Sequence, residues 1–261
     1  MRITVLGSKG MLGHVVARVL AEAGHEVRNE ATRYDPAAPR GFIEAVLAGR
    51  PEAVVNCIGV RPGPGIADGW IRSVNATLPA LVAEAVAGRC RFVHASSDGV
   101  FGPHKAARRV EETGDATDLY GRSKWEAESA VRAAGGTVIR ASIIGPELGE
   151  PRSLMGWFLA RHGPVRGFTD HAWNGITTLE WARLCARSLD RPGTGGIVCQ
   201  PGFWPPVSKA EVLRLIGEIW RSAATVQPVE APSPVLRSLV PDVTCPPLRR
   251  QLLELKAWYG R

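Results

Sequence analysis

Short apolar runs alternate, through the first half of the chain, with longer stretches in which apolar residues recur every three or four positions. Short runs of this kind are typical of buried strands, and the longer stretches are typical of amphipathic helices. The order of strand then helix repeats in RITVLG with MLGHVVARVLAEAG, in PEAVVNCIG with WIRSVNATLPALVAEAVAG, and in RFVHASS with the stretch that follows it. This alternation predicts the α/β fold class, with a Rossmann-type doubly wound parallel sheet.

The alternation stops near residue 146, where proline and tryptophan become frequent. Residues 1–145 are therefore predicted to form the Rossmann-type domain. The strand-like stretches VRGF and GIVCQ predict that residues 164–199 return to that domain. Residues 146–163 and 200–261 are predicted to form a smaller C-terminal lobe that binds the substrate.

The composition argues against two classes of partner. Apolar residues make up 45% of the chain, yet no apolar run approaches the ~18 residues that a membrane helix needs. The net charge of +7 comes from 32 Lys and Arg residues that are spread along the chain, and no basic stripe with interleaved aromatic residues is visible. We therefore expect neither a membrane nor nucleic acid among the partners.

Cysteine and histidine spacing bears on metals and on the compartment. The five cysteines are odd in number and include no CxxC pair, and the six histidines show neither HxH nor HExxH spacing. This spacing predicts no disulfide framework and no metal site. The stretch MRITVLG lacks the order of a signal peptide and is predicted to be the first strand. A cytoplasmic location is the resulting expectation.

Three glycines stand between the first predicted strand and the first predicted helix. Gly7, Gly10 and Gly13 form a GxxGxxG pattern in VLGSKGMLG. Glycines let the backbone turn tightly and approach a pyrophosphate, while the helix N-terminus offers free N–H groups and a positive dipole. The pattern is weak alone, but its place after the first strand of a βαβ series predicts a bound dinucleotide.

The end of the second predicted strand bears on which dinucleotide is bound, because an acidic residue there binds the ribose 2′-hydroxyl and repels a 2′-phosphate. Aligning the strand HEVRN places Ala31 near the acidic position, with Thr32 and Arg33 just beyond it. An arginine can bind the additional phosphate through two hydrogen bonds, so NADPH is favoured over NADH. A strand that ended one residue earlier would place Glu30 on the ribose and reverse the preference.

Tyr120 and Lys124 lie four residues apart on a predicted helix and therefore share one face. An ammonium below a phenol can lower the pKa of the phenol and also hold the nicotinamide ribose. The phenol can then donate a proton to a carbonyl oxygen as hydride reaches the carbon. Chance produces YxxxK often, but Ser96 and Ser97 end the preceding strand, where a hydroxyl can bind the same oxygen, and the amide of Asn75 can help to order the site. Ser96 and Asn75 are also predicted to contact the cofactor.

In this order the residues resemble the extended short-chain dehydrogenase/reductase family, and within it the dTDP-4-dehydrorhamnose reductase-like branch, which reduces nucleotide-linked 4-keto sugars. The segments that carry the resemblance are GSKGMLG, VVNCIG, SVNATLP, SSDGVF, DATDLYGRSK, VIRASIIG and VRGFTDHAWNGITTLE. They cover roughly residues 1 to 190, and the resemblance beyond them is thin. None of the segments identifies the sugar.

The resemblance implies roles for the residues at matching positions. Those implied to contact the cofactor pyrophosphate are Gly7, Gly10, Met11 and Leu12. Those implied to line the cofactor cleft are Asn56, Cys57, Ile58 and Gly59. The implied catalytic set is Ser97, Tyr120 and Lys124.

The resemblance also bears on the substrate side of the site. Relatives usually carry T-D-x-V-F, and here Gly99 replaces a side chain that often faces the substrate. Sugar-nucleotide 4,6-dehydratases of the same superfamily use a Glu at that position to eliminate water, so Gly99 argues against dehydration. The loop-like HAWNG adds an aromatic face that can stack on a base or a sugar ring. The predicted substrate-binding residues are Asp98, Val100, Phe101, Trp173 and Asn174.

Together these features predict an NADPH-dependent reductase that acts on the 4-keto group of a nucleotide-diphosphate 4-keto-6-deoxysugar. Such an enzyme would serve deoxysugar supply for a polysaccharide or a glycosylated metabolite. Two alternatives stay open: a sugar-nucleotide epimerase that keeps NAD bound, and a non-catalytic NADP-binding regulatory subunit. The sequence also leaves open whether the chain forms a homodimer.

Overall fold

A six-stranded parallel sheet forms the centre of the first of two structural units in the computed structural model, which describes residues 1–102, 106–190 and 196–260. This first unit takes Met1–Gly102, Thr113–Arg140 and the described part of Ala182–Cys199. Its strands are β1 (Arg2–Leu6), β2 (Glu26–Glu30), β3 (Ala53–Asn56), β4 (Arg91–Ser96), β5 (Thr137–Arg140) and β10 (Val198–Cys199).

The order of the strands across the sheet is β10-β5-β4-β3-β1-β2, and every pair is parallel. The chain therefore builds one half of the sheet outward from β1 to β2 and then returns to build the other half from β3. A sheet of this kind binds its ligand at the carboxyl ends of the strands, where the direction of winding changes. That point lies between β1 and β3.

Helices connect these strands. They are α1 (Gly13–Glu22), α2 (Pro39–Leu47), α3 (Asp68–Arg72), α4 (Leu78–Val86), α5 (Leu119–Ala133) and α7 (Thr178–Asp190), with a π-helical turn at Ser73–Thr77 between α3 and α4. Val54, Leu78, Phe92 and Val138 are among the fully buried side chains of the core. Each such side chain stabilises the fold by roughly 1.5–3 kcal/mol relative to exposure.

The second unit takes the described residues of 103–112, 141–181 and 200–261. Its core joins Met155, Phe158, Ile216 and Leu252, which are fully buried. Its strands lie in four small sheets, ordered β6-β9, β7-β13, β12-β8-β14 and β11-β15. Its elements, besides the start of α7, are β6 (Ile143–Ile144), α6 (Leu154–Leu159), β7 (Gly163–Phe168), β8 (His171–Trp173), β9 (Ile176–Thr177), β11 (Pro201–Gly202), β12 (Val207–Ser208), α8 (Lys209–Trp220), β13 (Ala224–Val229), β14 (Val235–Arg237), β15 (Val243–Thr244) and α9 (Leu248–Tyr259).

The predicted fold class is confirmed, and the two stretches expected to return to the main sheet behave differently. GIVCQ contains β10, which pairs with β5. VRGF lies in β7, which instead pairs with β13 in the second unit. A Cβ atom on Gly167 would lie only 2.6 Å from Val226 and 2.9 Å from Ala210, so close packing against β13 and α8 holds β7 in this place.

Across the described ranges, none of the helices combines the length and the apolar character that crossing a bilayer requires.

Candidate active site and cofactor cleft

The glycine loop connects β1 to α1. Gly7 adopts φ +77°, a left-handed conformation that favours glycine, and its carbonyl accepts a hydrogen bond from Gly10 N–H at 2.9 Å. A Cβ atom on Gly13 would lie 2.1 Å from the Gly7 oxygen, so only glycine lets α1 begin this close to the loop. Leu12 is buried at the start of α1, beside the half-buried Met11. The first turn of α1 carries no acidic side chain, so its N-terminal dipole is available to an anion.

The loop after β3 lies against this glycine loop. Cys57 N–H donates to the Leu6 carbonyl at 3.1 Å, and a Cβ atom on Gly7 would lie 3.0 Å from the Ile58 side chain. The side chain of Asn56 is fully buried, and its Oδ1 accepts the Ile58 N–H at 3.0 Å. Burial raises the pKa of the Cys57 thiol, so this cysteine stays protonated. Both loops therefore lie where β1 and β3 end, as the sheet topology requires for a dinucleotide site.

Asn75 supports the continuation of the second loop. Its Oδ1 accepts the Val60 N–H and its Nδ2 donates to the Val60 carbonyl, both at 2.8 Å. The same Oδ1 would lie 3.8 Å from a Cβ atom on Gly59. Asn75 thus orders the loop backbone with both ends of its amide, from the π-helical turn.

A cavity of about 230 Å³ opens beside the two loops. Its lining includes two cations, Lys9 and Arg33, together with Glu30. The lining also includes aromatic side chains, which suit the face of an adenine ring. The residues that line the cavity are Leu6, Gly7, Ser8, Lys9, Glu30, Ala31, Thr32, Arg33, Tyr34, Phe42, Ile58, Val60, Trp70 and Val74.

The end of β2 differs from the sequence alignment by one residue. Glu30 is the last strand residue and pairs with Leu6, whereas the alignment had placed Ala31 at that position. Glu30 therefore stands where an acidic residue favours the ribose 2′-hydroxyl of NADH. The carboxylate of Glu30 is already engaged: Oε1 accepts the Thr32 N–H at 2.8 Å, and Oε2 lies 2.8 Å from Arg28 Nη2. That hydrogen bond turns the chain out of the strand after Glu30. Burial opposes ionisation of Glu30, but the hydrogen bonds of Thr32 and the charge of Arg28 outweigh burial and lower its pKa.

Lys9 is a residue that the sequence reasoning missed. It stands inside the glycine loop and lines the same cavity as Arg33. Among the described residues, neither cation forms an ion pair within the chain. Lys9 lies within GSKG, next to glycines that the sequence assigns to a phosphate, and this position could have identified it as a phosphate contact.

The structure brings Ser97 and Tyr120 together. Ser97 follows β4, and its hydroxyl accepts the Gly99 N–H and donates to Asp98 Oδ1, both at 3.0 Å. Tyr120 stands in the first turn of α5, which Asp118 caps by accepting the Gly121 N–H at 2.9 Å. A Cβ atom on Gly99 would lie 3.0 Å from Tyr120 Cε1, so position 99 faces the phenol ring.

The pKa of Tyr120 is raised, and the ammonium of Lys124 is not what sets it. Burial is the main cause, and Asp98 and Asp118 add to it, while the hydrogen bond from Ser97 and the charge of Arg61 act in the opposite direction. The expectation that an ammonium below the ring lowers this pKa is therefore not met. A raised pKa keeps the phenol protonated, which is the form that donates a proton.

The ammonium group of Lys124 points into the sheet. Its Nζ donates to the Ala95 carbonyl at 2.6 Å and lies 3.3 Å from His94 Nε2. Over the residues that the structure describes, no hydrogen bond joins Nζ to the Tyr120 hydroxyl. Burial lowers the pKa of Lys124 to about 8, and the charge of Glu128 acts in the opposite direction.

A buried ion pair lies one turn beyond Lys124 on α5. Glu128 accepts from Arg140 at the end of β5, with Nη2 2.6 Å from Oε2 and Nε 3.0 Å from Oε1. Ser96, predicted to contact the cofactor, instead donates its hydroxyl to Glu128 Oε1 at 2.5 Å. Arg140 also lies over the ring of Phe101, 5.0 Å from its centroid. These contacts tie α5 to the carboxyl ends of β4 and β5.

The predicted substrate-binding residues divide into two groups. Asp98 stays beside Ser97 at the site. Val100 and Phe101 are buried in the core, so the structure gives them a packing role. Trp173 donates from Nε1 to Ser142 Oγ at 2.8 Å within the second unit, where it is half-buried.

Asn174 likewise has a structural role in the second unit. Its Nδ2 donates to the carbonyls of Leu239 at 2.7 Å and Phe203 at 3.2 Å, and its Oδ1 accepts the Leu239 N–H at 3.0 Å. Its amide is thus fully used by backbone groups.

Comparisons with known proteins agree with this arrangement. The model of the RmlD substrate binding domain family matches residues 1–150, more than half of the chain. The chain belongs to this family. The predicted resemblance to dTDP-4-dehydrorhamnose reductase-like extended short-chain dehydrogenases is thereby confirmed.

Individual relatives of this family show how far the likeness extends. A dTDP-4-dehydrorhamnose reductase of Mycolicibacterium smegmatis is 31% identical over 142 residues, which are 51% of this chain and only 42% of that relative. A probable dTDP-4,6-dihydroxy-2-methyloxan-3-one 4-ketoreductase of Streptomyces antibioticus is 27% identical, with 96% of this chain and 99% of the relative covered. The solved structure of a dTDP-4-dehydrorhamnose reductase from Bacillus anthracis in complex with NADP has a TM-score of 0.83 at 15% identity, covering 98% of this chain and 99% of that chain, and supports the same fold.

Proposed function

We propose that the protein reduces the 4-keto group of a nucleotide-diphosphate 4-keto-6-deoxysugar, with NADPH as the reductant. The observation that carries this proposal is that Ser97 and Tyr120 both lie against Gly99, where a Cβ atom would be 3.3 Å from Ser97 Oγ and 3.0 Å from Tyr120 Cε1. A protonated phenol and a hydroxyl directed at one point can bind and protonate a carbonyl oxygen. The full-length likeness to a 4-ketoreductase supports this choice of reaction.

The chemistry assigns a role to each side chain. NADPH, when bound, supplies the hydride. Tyr120 donates a proton to the carbonyl oxygen, and its raised pKa favours the protonated phenol before each turnover. Ser97 polarises the same oxygen. Lys124, one turn after Tyr120 on the same helix face, would hold the cofactor ribose.

The proposed preference for NADPH rests on the charged side chains that line the cavity. Lys9 and Arg33 line it together and would both attract a 2′-phosphate. Glu30 would oppose that phosphate, but its charge is partly offset by Arg28 and its Oε1 is held by Thr32. Two cations against one already paired carboxylate favour NADPH over NADH.

The neighbouring chemistries fit less well. Dehydration needs an acid–base side chain at position 99, and Gly99 offers none. An epimerase would return its hydride to the sugar and consume no NADPH. A regulatory subunit would not need Ser97 and Tyr120 to lie side by side. The match to the reductase of Mycolicibacterium smegmatis covers only 42% of that relative, so this likeness does not identify the sugar.

We also propose a cytoplasmic protein, because the structure places none of its five cysteines in a disulfide. A homodimer remains a further proposal. Size-exclusion chromatography with light scattering would decide it directly.

The experiment that tests the proposed function follows the loss of NADPH absorbance, with NADH in parallel, against dTDP-, UDP- and GDP-linked 4-keto-6-deoxysugars. We expect turnover with one nucleotide class, one NADPH oxidised for each ketone reduced, and slower turnover with NADH. Conversion of the sugar without net NADPH oxidation would replace the reductase with an epimerase. Tight binding of NADPH without turnover of any sugar would favour the regulatory subunit.

A further inference from the structure

His94 is buried at the centre of the sheet and contacts two other functional side chains. It is completely inaccessible to solvent and lies on β4, in register with Asn56 on β3. Its Nδ1 lies 3.1 Å from Asn56 Nδ2, and its Nε2 lies 3.3 Å from Lys124 Nζ. Each ring nitrogen therefore faces one hydrogen-bonding partner, and both partner atoms are nitrogens.

The orientation of the Asn56 amide is fixed by the backbone. Its oxygen faces the N–H of Ile58 at 3.0 Å, and an N–H can only donate. The amide nitrogen, which carries only hydrogens, must then face His94. It follows that Asn56 donates and that His94 Nδ1 accepts.

This assignment determines the other side of the imidazole ring. A neutral imidazole has one acceptor nitrogen and one N–H, so an accepting Nδ1 places the hydrogen on Nε2. That N–H points at Lys124 Nζ. An amine nitrogen can accept it through its lone pair, whereas an ammonium has no lone pair and would oppose it. A doubly protonated His94 is disfavoured as well, because burial and the charge of Lys124 both lower its pKa.

Other ionisable groups around Lys124 act in a known direction. Glu128, one turn further along α5, favours the ammonium, and Arg140 pairs with Glu128 and offsets part of its charge. Cys57, after β3, stays protonated because burial raises the pKa of its thiol, so it adds no charge. Tyr120 is the remaining ionisable neighbour on the same helix face, and its raised pKa keeps it neutral. The polar group that favours the amine through a hydrogen bond is therefore His94.

We propose that His94 is a positioning residue that stabilises the neutral amine of Lys124 through a hydrogen bond from its Nε2. The chain of donors runs from Ile58 N–H and Asn56 Nδ2 through His94 Nε2 to Lys124, which in turn donates to the Ala95 carbonyl. This hydrogen-bond arrangement does not depend on the proposed function.

The test measures the protonation of Lys124 directly. The chain has five lysines, so protein labelled with ¹³C at lysine Cε gives five resolvable signals, and Lys124→Arg assigns the one of interest. The chemical shift of Cε is followed from pH 6 to pH 11 by NMR. In the parent we expect a midpoint near the pKa of about 8 that burial gives Lys124.

Two variants remove the proposed stabilisation at different points. His94→Phe removes the N–H that faces Lys124 and keeps an aromatic ring, and Asn56→Leu removes the donor that fixes His94 while leaving His94 in place. Each should raise the Lys124 midpoint by about one pH unit, the effect of one buried hydrogen bond. Asn75→Leu is the matched control, because it removes a buried amide whose oxygen and nitrogen both hydrogen-bond to the Val60 backbone and not to His94 or Lys124, and should leave the midpoint unchanged.

The outcomes separate the alternatives. An unchanged midpoint in both His94→Phe and Asn56→Leu would overturn the proposal, as would a parent midpoint above pH 10. A shift in His94→Phe alone would overturn the orientation argument. Unchanged signals from the other lysines show that each variant is folded. Since no substrate or cofactor enters the titration, absent turnover would refute the proposed function and leave this result standing.

Discussion

Two Arg–Glu pairs in the first unit differ in how far the arginine side chain is exposed to water. Arg28 and Glu30 meet at the edge of the cofactor cavity, where the Arg28 side chain is 40% exposed. Arg140 and Glu128 meet beneath α5, where both side chains are almost completely buried. The first pair stands where the adenosine part of a cofactor would bind, and the second stands under the helix that carries Tyr120.

The difference shows that one part of the site is rigid while another part can adjust. Glu128 uses both oxygens, on Arg140 and on Ser96, and Arg140 also contacts an aromatic ring, so these groups have little freedom to move. Glu30 has one oxygen hydrogen-bonded and the other, itself buried, in an ion pair whose arginine is 40% exposed. The catalytic end of the site is therefore held in position, while the cofactor end can adjust to its ligand.

The largest expected effect compares the two pairs directly. Glu128→Gln leaves Arg140 charged and without its partner in the interior, and should lower the free energy of unfolding by about 3–5 kcal/mol. Glu30→Gln is the matched change, and because Arg28 can turn to water it should cost less than about 1 kcal/mol. Urea denaturation monitored by circular dichroism measures both. Equal costs for the two variants would contradict the distinction between the pairs.

The next effect concerns the pH dependence of stability at the buried end. The pKa of Lys124 falls from 10.5 to about 8 on folding, so between these values the unfolded chain binds a proton that the folded chain lacks. The free energy of unfolding of the parent, relative to Lys124→Met, should therefore rise with pH across this window by about 3 kcal/mol. Urea titrations of both proteins at pH 7 to 10.5 provide the measurement. A difference that is flat with pH would show that Lys124 is not desolvated.

The smallest effect concerns the open end. Arg33→Ala should raise the Kd for NADPH by about tenfold, because a charge-assisted hydrogen bond to phosphate is lost, and should leave the Kd for NADH nearly unchanged. Arg40→Ala is the control, since Arg40 is an exposed residue of α2 that pairs with Glu44 away from the cavity. Fluorescence titration with both cofactors gives the constants. Equal weakening of NADPH and NADH would remove Arg33 from the 2′-phosphate site.

The sequence predicted those features that depend on local spacing. The glycine pattern predicted the loop between β1 and α1, and the four-residue spacing of Tyr120 and Lys124 predicted a shared helix face. The same spacing extended by four residues reaches Glu128, which could have been found in this way.

Other features depend on sheet register, which the sequence alone does not fix. His94 meets Asn56, and Ser96 meets Arg140, only because β3, β4 and β5 align in one particular register. The end of β2 depends on a hydrogen bond that the Thr32 N–H donates to the Glu30 side chain, and strand propensity does not include such a bond.

The central claim is that Tyr120 is the proton donor of an NADPH-dependent keto reduction. Its most direct test is the rate of NADPH oxidation by the parent and by Tyr120→Phe, at saturating concentrations of the nucleotide sugar that the parent turns over. We predict that kcat falls by about 10³-fold in the variant, while the Kd for NADPH stays within a factor of two or so, because a general acid contributes to rate and little to cofactor binding. A variant that reduces the sugar as fast as the parent would contradict the account.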